Sequence, residues 1–118
     1  MKILVIIKSP PVSQVVHEIA VKTIESLCSD CAVEISGIFF TDSSVSLASK
    51  GICQLSNLGS LQALYQNLFQ KRGIPLYVCG RAFMEHGLDK SNLGDEFCLA
   101  GNMELSMMIC SADRVMEF

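Results

Sequence analysis

The sequence predicts an α/β domain with a mainly parallel sheet of about five strands flanked by helices. Three observations carry this expectation. Apolar, β-branched runs alternate along the chain with stretches whose apolar residues recur at helical spacing. The first run, Ile3 to Ile7, is apolar without interruption, as in a strand buried on both faces of a parallel sheet. The chain is 118 residues long, which fits one domain spanning 1–118.

Lys2 to Lys8 reads as the first strand, and Ser9-Pro10-Pro11 stops it. Ser13 is the expected cap of a first helix. Val16, Ala20, Ile24 and Leu27 form its inward stripe, with Val15, Ile19 and Cys28 beside them. Glu18 precedes Lys22 by four residues on the opposite face, the favourable order for a helical ion pair. Val33 to Phe40 is a second strand, and the three elements make one βαβ unit. Residues 41–60 are serine-rich and long for a connection, which is either functional, mobile, or hides a short helix such as Val45 to Lys50. Ser60 is the expected cap of a second helix with the stripe Leu61, Leu64, Tyr65 and Leu68. Lys71 and Arg72 suit its negative end, and Gly73 suits the left-handed residue that closes it. Pro75 prevents continuation.

Leu76 to Cys79 is a short third strand. Arg81 to His86 follows as a short helix ended by Gly87. Leu88 to Cys98 is irregular, with Leu99 and Ala100 as a short edge strand. Asn102 is the expected cap of a last helix, Met103 to Cys110, before a final strand from Arg114 to Phe118.

Composition excludes several functions. Hydrophobic residues make up 50% of the chain and charged residues 18%, against about 25% in ordinary domains, so the chain folds and has apolar surface for a partner. Nine basic and twelve acidic residues, with no basic run, argue against direct nucleic-acid binding. The early apolar run is far shorter than the roughly 20 residues that span a bilayer, and too short for a signal-peptide core, so no membrane role and a cytoplasmic location are expected. The turn after the first strand carries neither a glycine-rich dinucleotide fingerprint nor a P-loop. No Gly-x-Ser-x-Gly elbow occurs. His17 and His86 have no catalytic or metal-ligand company in sequence and are expected at the surface.

The six cysteines remain. Cytosolic thiols are normally reduced. Cys79 ends a strand and precedes Gly80 and a helix, where ligand chemistry gathers in open α/β sheets. The helix offers unpaired N–H groups that stabilise a thiolate, Arg81 adds positive charge if it points inward, and Gly80 leaves space beside the sulfur. A buried cysteine filling the strand end is the equal alternative. Cys28 and Cys31 form a Cys-Ser-Asp-Cys pair, but at the end of a helix rather than its start. Zinc would need two more ligands, so a core contact and a turn residue are expected instead. Cys53, in the long connection, is within possible reach of Cys79. Cys98 and Cys110 read as core. Met103, Met107 and Met108 read as core or interface packing. No metal or organic cofactor is implied.

The segment from Leu76 through Cys79-Gly80-Arg81-Ala82 to Gly87-Leu88-Asp89 resembles the active-cysteine segment of the DsrE/TusD family of sulfur-transfer proteins, closest to the TusD-like branch. Lys2 to Lys8, Val33 to Phe40 with its paired Phe, Gly73-Ile74-Pro75, Phe97 to Gly101 and Ala112 to Phe118 match other family segments in order. The resemblance covers nearly the whole chain and implies a three-layer DsrE-like fold.

It also implies a function. Cys79 would be the catalytic residue of a sulfurtransferase. It would accept sulfane sulfur as a persulfide from a donor protein and hand it on, with no cofactor. Partners implied by the resemblance are TusB-like and TusC-like subunits in a hetero-oligomer, or further copies in a homo-oligomer, with a TusE-like acceptor and tRNA 2-thiouridine as the end product. A DsrE-type subunit in sulfur oxidation, or a non-catalytic assembly subunit, is the alternative. A dithiol redox protein using Cys28 and Cys31 is a third. The chain departs from the family pattern in Glu85-His86, where basic residues are usual, in Ser9-Pro10-Pro11, and in Thr41-Asp42-Ser43-Ser44 after the paired Phe.

Overall fold

The structure is a computed structural model that describes residues 1–54 and 56–118, and the side chains of these except 53, 54, 56 and 57. Strands β1 (Lys2–Ile7), β2 (Glu34–Phe40), β3 (Leu76–Cys79), β4 (Phe97–Ala100) and β5 (Arg114–Glu117) form one sheet in the order β4-β3-β2-β1-β5. Every neighbouring pair is parallel.

Helices α1 (Gln14–Cys28), α2 (Ser56–Arg72) and α3 (Gly80–Glu85) connect strands that step in one direction across the sheet. Right-handed crossovers therefore place all three on one face. Helix α4 (Asn102–Ser111) links β4 to β5, which runs back across the sheet, so α4 lies alone on the other face. The result is the expected three-layer α/β domain.

Core residues are buried on both faces, with Leu4, Ile6 and Phe39 on the face that α4 covers. On the closed face, under three helices, Val5, Ile7, Ile38, Phe40, Leu76 and Val78 are buried against Ala20, Val21, Ile24, Leu61, Tyr65 and Leu68 of the helices. The Phe40 ring meets Tyr65 edge-on at 4.9 Å and Phe97 at 5.7 Å, arrangements favoured by the ring quadrupoles.

Several elements differ from the sequence reading. Helix α1 is rotated so that His17, Ala20, Val21 and Ile24 face inward, leaving Val15 and Ile19 in solvent. Ser13 stands at its cap without a side-chain hydrogen bond; its carbonyl accepts from the Val16 and His17 amides at 3.1 and 3.3 Å instead. The long connection forms two 3-10 helices, Asp42–Ala48 and Lys50–Gln54. Asp42 adopts φ +54°, a conformation aspartate tolerates better than most residues. Ser44 anchors this segment by donating to the Ile7 and Thr41 carbonyls at 2.6 and 2.8 Å. Helix α2 begins at Ser56, one turn before Ser60, and runs through Gly59 because Leu58 already packs on the core. Gly73 closes α2 at φ +68°, and Gly87 follows α3 at φ +76°, both as expected. Gly101, rather than Asn102, caps α4, and its N–H donates to Glu104 at 2.9 Å.

Candidate functional site

Cys79 is the last residue of β3 and the cap residue of α3, with extended backbone (φ −62°, ψ 111°). It pairs with Ala100 across the β3–β4 ladder. Pairing with β2 ends one residue earlier, at Phe40 and Val78, so Cys79 sits just beyond the carboxyl end of β2. Its position is the expected one, but the residue is only 6% exposed and its side chain makes no cap hydrogen bond. The amides of the first turn of α3 lack helical acceptors and lie next in the chain.

The surroundings depart from the sequence reading. Arg81 does not turn inward: its side chain is 81% exposed and its Nε donates to Glu85 Oε1 at 3.1 Å. A one-turn spacing of opposite charges holds the guanidinium on the outer surface of α3. A Cβ at Gly80 would meet the Ala100 carbonyl oxygen at an ordinary 3.8 Å. His86 is exposed, as expected, and its Nδ1–H donates to the Ala82 carbonyl at 2.8 Å.

His17 overturns its surface assignment, being fully buried. Its Nε2 lies 3.0 Å from both the Ser9 and the Pro10 carbonyl oxygens. Carbonyls only accept, so Nε2 carries the proton and Nδ1 accepts from the Tyr65 hydroxyl at 2.8 Å. One imidazole thus ties the loop after β1 to α2. Burial lowers the His17 pKa below 6.5, and the two carbonyls oppose that shift. Burial also raises the Tyr65 pKa. The signal available in sequence was a polar residue lying between Val16 and Ala20 on an apolar helix face.

The other cysteines separate sharply. All five described cysteines are free thiols. Cys28 packs half-buried on the core and Cys31 is exposed in the turn, the arrangement expected in place of a redox pair or zinc site. The side chain of Cys53 lies outside the described residues. Cys98 and Cys110, expected in the core, are both exposed. Cys98 points away from the closed face because Phe97 before it and Leu99 after it take the inward positions of an alternating strand. Cys110 lies on α4, none of whose residues is fully buried. Met103 and Met107 are likewise 77% and 65% exposed, which overturns the core expectation for those two, whereas Met108 packs half-buried against the core.

Among the described residues no group of His, Cys, Asp and Glu side chains could hold a metal ion. Among them, too, no helix is long and apolar enough to cross a membrane.

The fold is similar to that of the ychN protein from E. coli. Its crystal structure matches with a TM-score of 0.73, covering 100% of this chain and 99% of that one at 17% identity, a likeness of fold. No curated protein matches the sequence. The DsrE/DsrF-like family matches residues 1–118. The match runs the whole length of the chain, and the chain therefore belongs to the DsrE/DsrF-like family, a family implicated generally in sulfur relay.

Proposed function

We propose that this chain is a cytoplasmic sulfur-relay protein in which Cys79 accepts a sulfane sulfur and passes it to an acceptor protein. The observation that supports this most directly is the placement of Cys79 at the junction of β3 and α3, in a chain that belongs to a sulfur-relay family along its whole length.

The chemistry needs no cofactor. The Cys79 thiolate attacks the outer sulfur of a donor persulfide. The donor S–S bond breaks, the donor thiolate leaves, and a persulfide forms on Cys79. An acceptor thiolate then attacks the terminal sulfur and releases the Cys79 thiolate. By its resemblance to the TusD-like branch, the chain assembles with TusB-like and TusC-like subunits and delivers sulfur to a TusE-like acceptor for tRNA 2-thiouridine synthesis. The apolar, exposed surface of α4 is consistent with assembly.

The 6% exposure of Cys79 and the outward turn of Arg81 favour a second reading, a non-catalytic subunit that keeps the fold and its contacts. One experiment separates them. The reduced protein is incubated with a cysteine desulfurase, its carrier and cysteine, and added sulfur is located by peptide mass spectrometry. The relay reading expects a persulfide on Cys79 that disappears in Cys79→Ser. A bare Cys79, with a working donor control and candidate partner subunits present, selects the assembly reading.

A further inference from the structure

The face of the sheet that α4 covers carries two thiols on neighbouring strands. Tyr77 pairs with Cys98 and Cys79 pairs with Ala100 along the β3–β4 ladder. Side chains alternate along a strand, so Tyr77, Cys79, Cys98 and Ala100 share one face. A strand spacing of about 4.8 Å and a two-residue offset of about 6.6 Å place the Cα atoms of Cys79 and Cys98 roughly 8 Å apart. That separation exceeds the ~7 Å beyond which a disulfide cannot close without backbone movement. A persulfide is different, because it carries its outer sulfur about 2 Å beyond the cysteine sulfur.

Access to the two thiols is opposite. Cys98 is exposed on an edge strand, whereas Cys79 is 6% exposed. Tyr77 is the largest side chain of the row. Its ring leans over Gly37 of β2, where a Cβ would lie only 2.9 Å from Cε2, and so leans away from β4.

We infer that Cys98 is the surface port of a two-cysteine relay, receiving sulfur from outside and transferring it along the sheet face to Cys79. The inference rests on the reading of Cys79 as a sulfur acceptor. In the transfer step the Cys79 thiolate attacks the outer sulfur of the Cys98 persulfide. The Cys98 S–S bond breaks, the bond on Cys79 forms, and Cys98 leaves as a thiolate that takes up the proton Cys79 gave away. No oxidant or reductant is consumed. The same exchange in reverse returns the sulfur to the surface.

The test uses glutathione persulfide as the donor, rapid alkylation and peptide mass spectrometry on the full chain. In the wild type the added sulfur is expected first on Cys98 and later on Cys79. Cys98→Ser and Cys98→Ala, both at an exposed position, are expected to fold normally and to load Cys79 at least tenfold more slowly. Cys79→Ser is expected to hold the sulfur on Cys98. Wild-type loading of Cys79 in both Cys98 variants overturns the port and leaves the role of Cys79 intact. Sulfur that stays on Cys98 of the wild type indefinitely overturns the role of Cys79 and the relay with it. A Cys79–Cys98 disulfide with release of hydrogen sulfide overturns the transfer step, since it makes Cys98 a resolving thiol.

Discussion

The two faces of the sheet are built differently. Both bury core residues, Phe40 and Val78 on the face under three helices and Leu4, Ile6 and Phe39 on the opposite one, but the first is sealed along its whole width. The other has α4 alone, whose residues are at most half-buried, with Tyr77, Cys98 and Ala100 incompletely covered beneath or beside it. The crossover rule makes this asymmetry unavoidable: four strands laid down in one direction put three helices on one side, and a single return connection is left for the other. The less covered face carries Cys79, which is buried, and Cys98, which is exposed.

The sharpest way to break this comparison is to remove bulk from the sealed face. Phe40 is fully buried and touches the rings of Tyr65 and Phe97. Phe40→Ala is expected to cost about 3–5 kcal/mol, read from urea unfolding, because the transfer energy is lost and a cavity is left. A cost below about 1 kcal/mol would mean that this face is not close-packed, and the contrast would fail.

The polar contact inside the sealed face comes next. Tyr65→Phe removes the hydroxyl that donates to His17 Nδ1 and leaves a buried acceptor without its partner. The expected loss is about 1–3 kcal/mol by the same unfolding measurement. His17→Phe with Tyr65→Phe should recover part of it, since both polar groups are then gone. A double variant that loses the sum of the two single effects would show that the contact is not a coupled pair.

Acidity tests the same contact. The His17 pKa is lowered in the folded protein by burial, from an ordinary value of 6.5. Above that value the imidazole is neutral in both states. As pH falls below it, the unfolded chain takes up a proton that the folded chain does not, so stability declines through this window. The melting temperature is expected to fall between about pH 7 and pH 5 in the wild type, and to fall less in His17→Phe. Asp89, whose carboxyl is held below its ordinary 3.8 by hydrogen bonds from Ser91, titrates below this window. Equal slopes for wild type and variant would show that His17 is protonated while folded.

What could be read in the sequence follows the same division. Strands β1, β2, β3 and β5 were legible from apolar runs such as Ile3 to Ile7, whereas β4 was placed only at Leu99 and Ala100 and in fact begins at Phe97. Gly73 and Gly87 were legible because a helix end at positive φ selects glycine. The position of Cys79 was legible from the order of strand, Gly and helix, but its burial was not, because accessibility depends on side chains that pack from other parts of the chain. His17 was misplaced for the same reason: its partner Tyr65 lies 48 residues away, and nothing near His17 announces it. Cys98 and Cys110 were misread in the opposite sense, as were Met103 and Met107 as far as they were expected in the core. Apolar character was equated with burial, whereas a lone helix on a sheet face leaves much of its own apolar surface uncovered.

The smallest effect on stability is expected on that open face, and it is informative because it is small. Met103 and Met107 are 77% and 65% exposed, so replacing both with Ser removes little buried surface. The unfolding free energy of Met103→Ser/Met107→Ser should stay within about 0.5 kcal/mol of wild type. Sedimentation velocity on the same samples then reads assembly. If α4 is a subunit interface, the variant sediments as a smaller species than the wild type at equal concentration while remaining as stable when folded. Unchanged stability with unchanged sedimentation would remove these methionines from any interface and leave Tyr77, Cys98 and Val115 as the surface to test. A stability loss above about 1 kcal/mol would instead show that α4 packs down as a core helix, and the difference between the two faces would be one of degree.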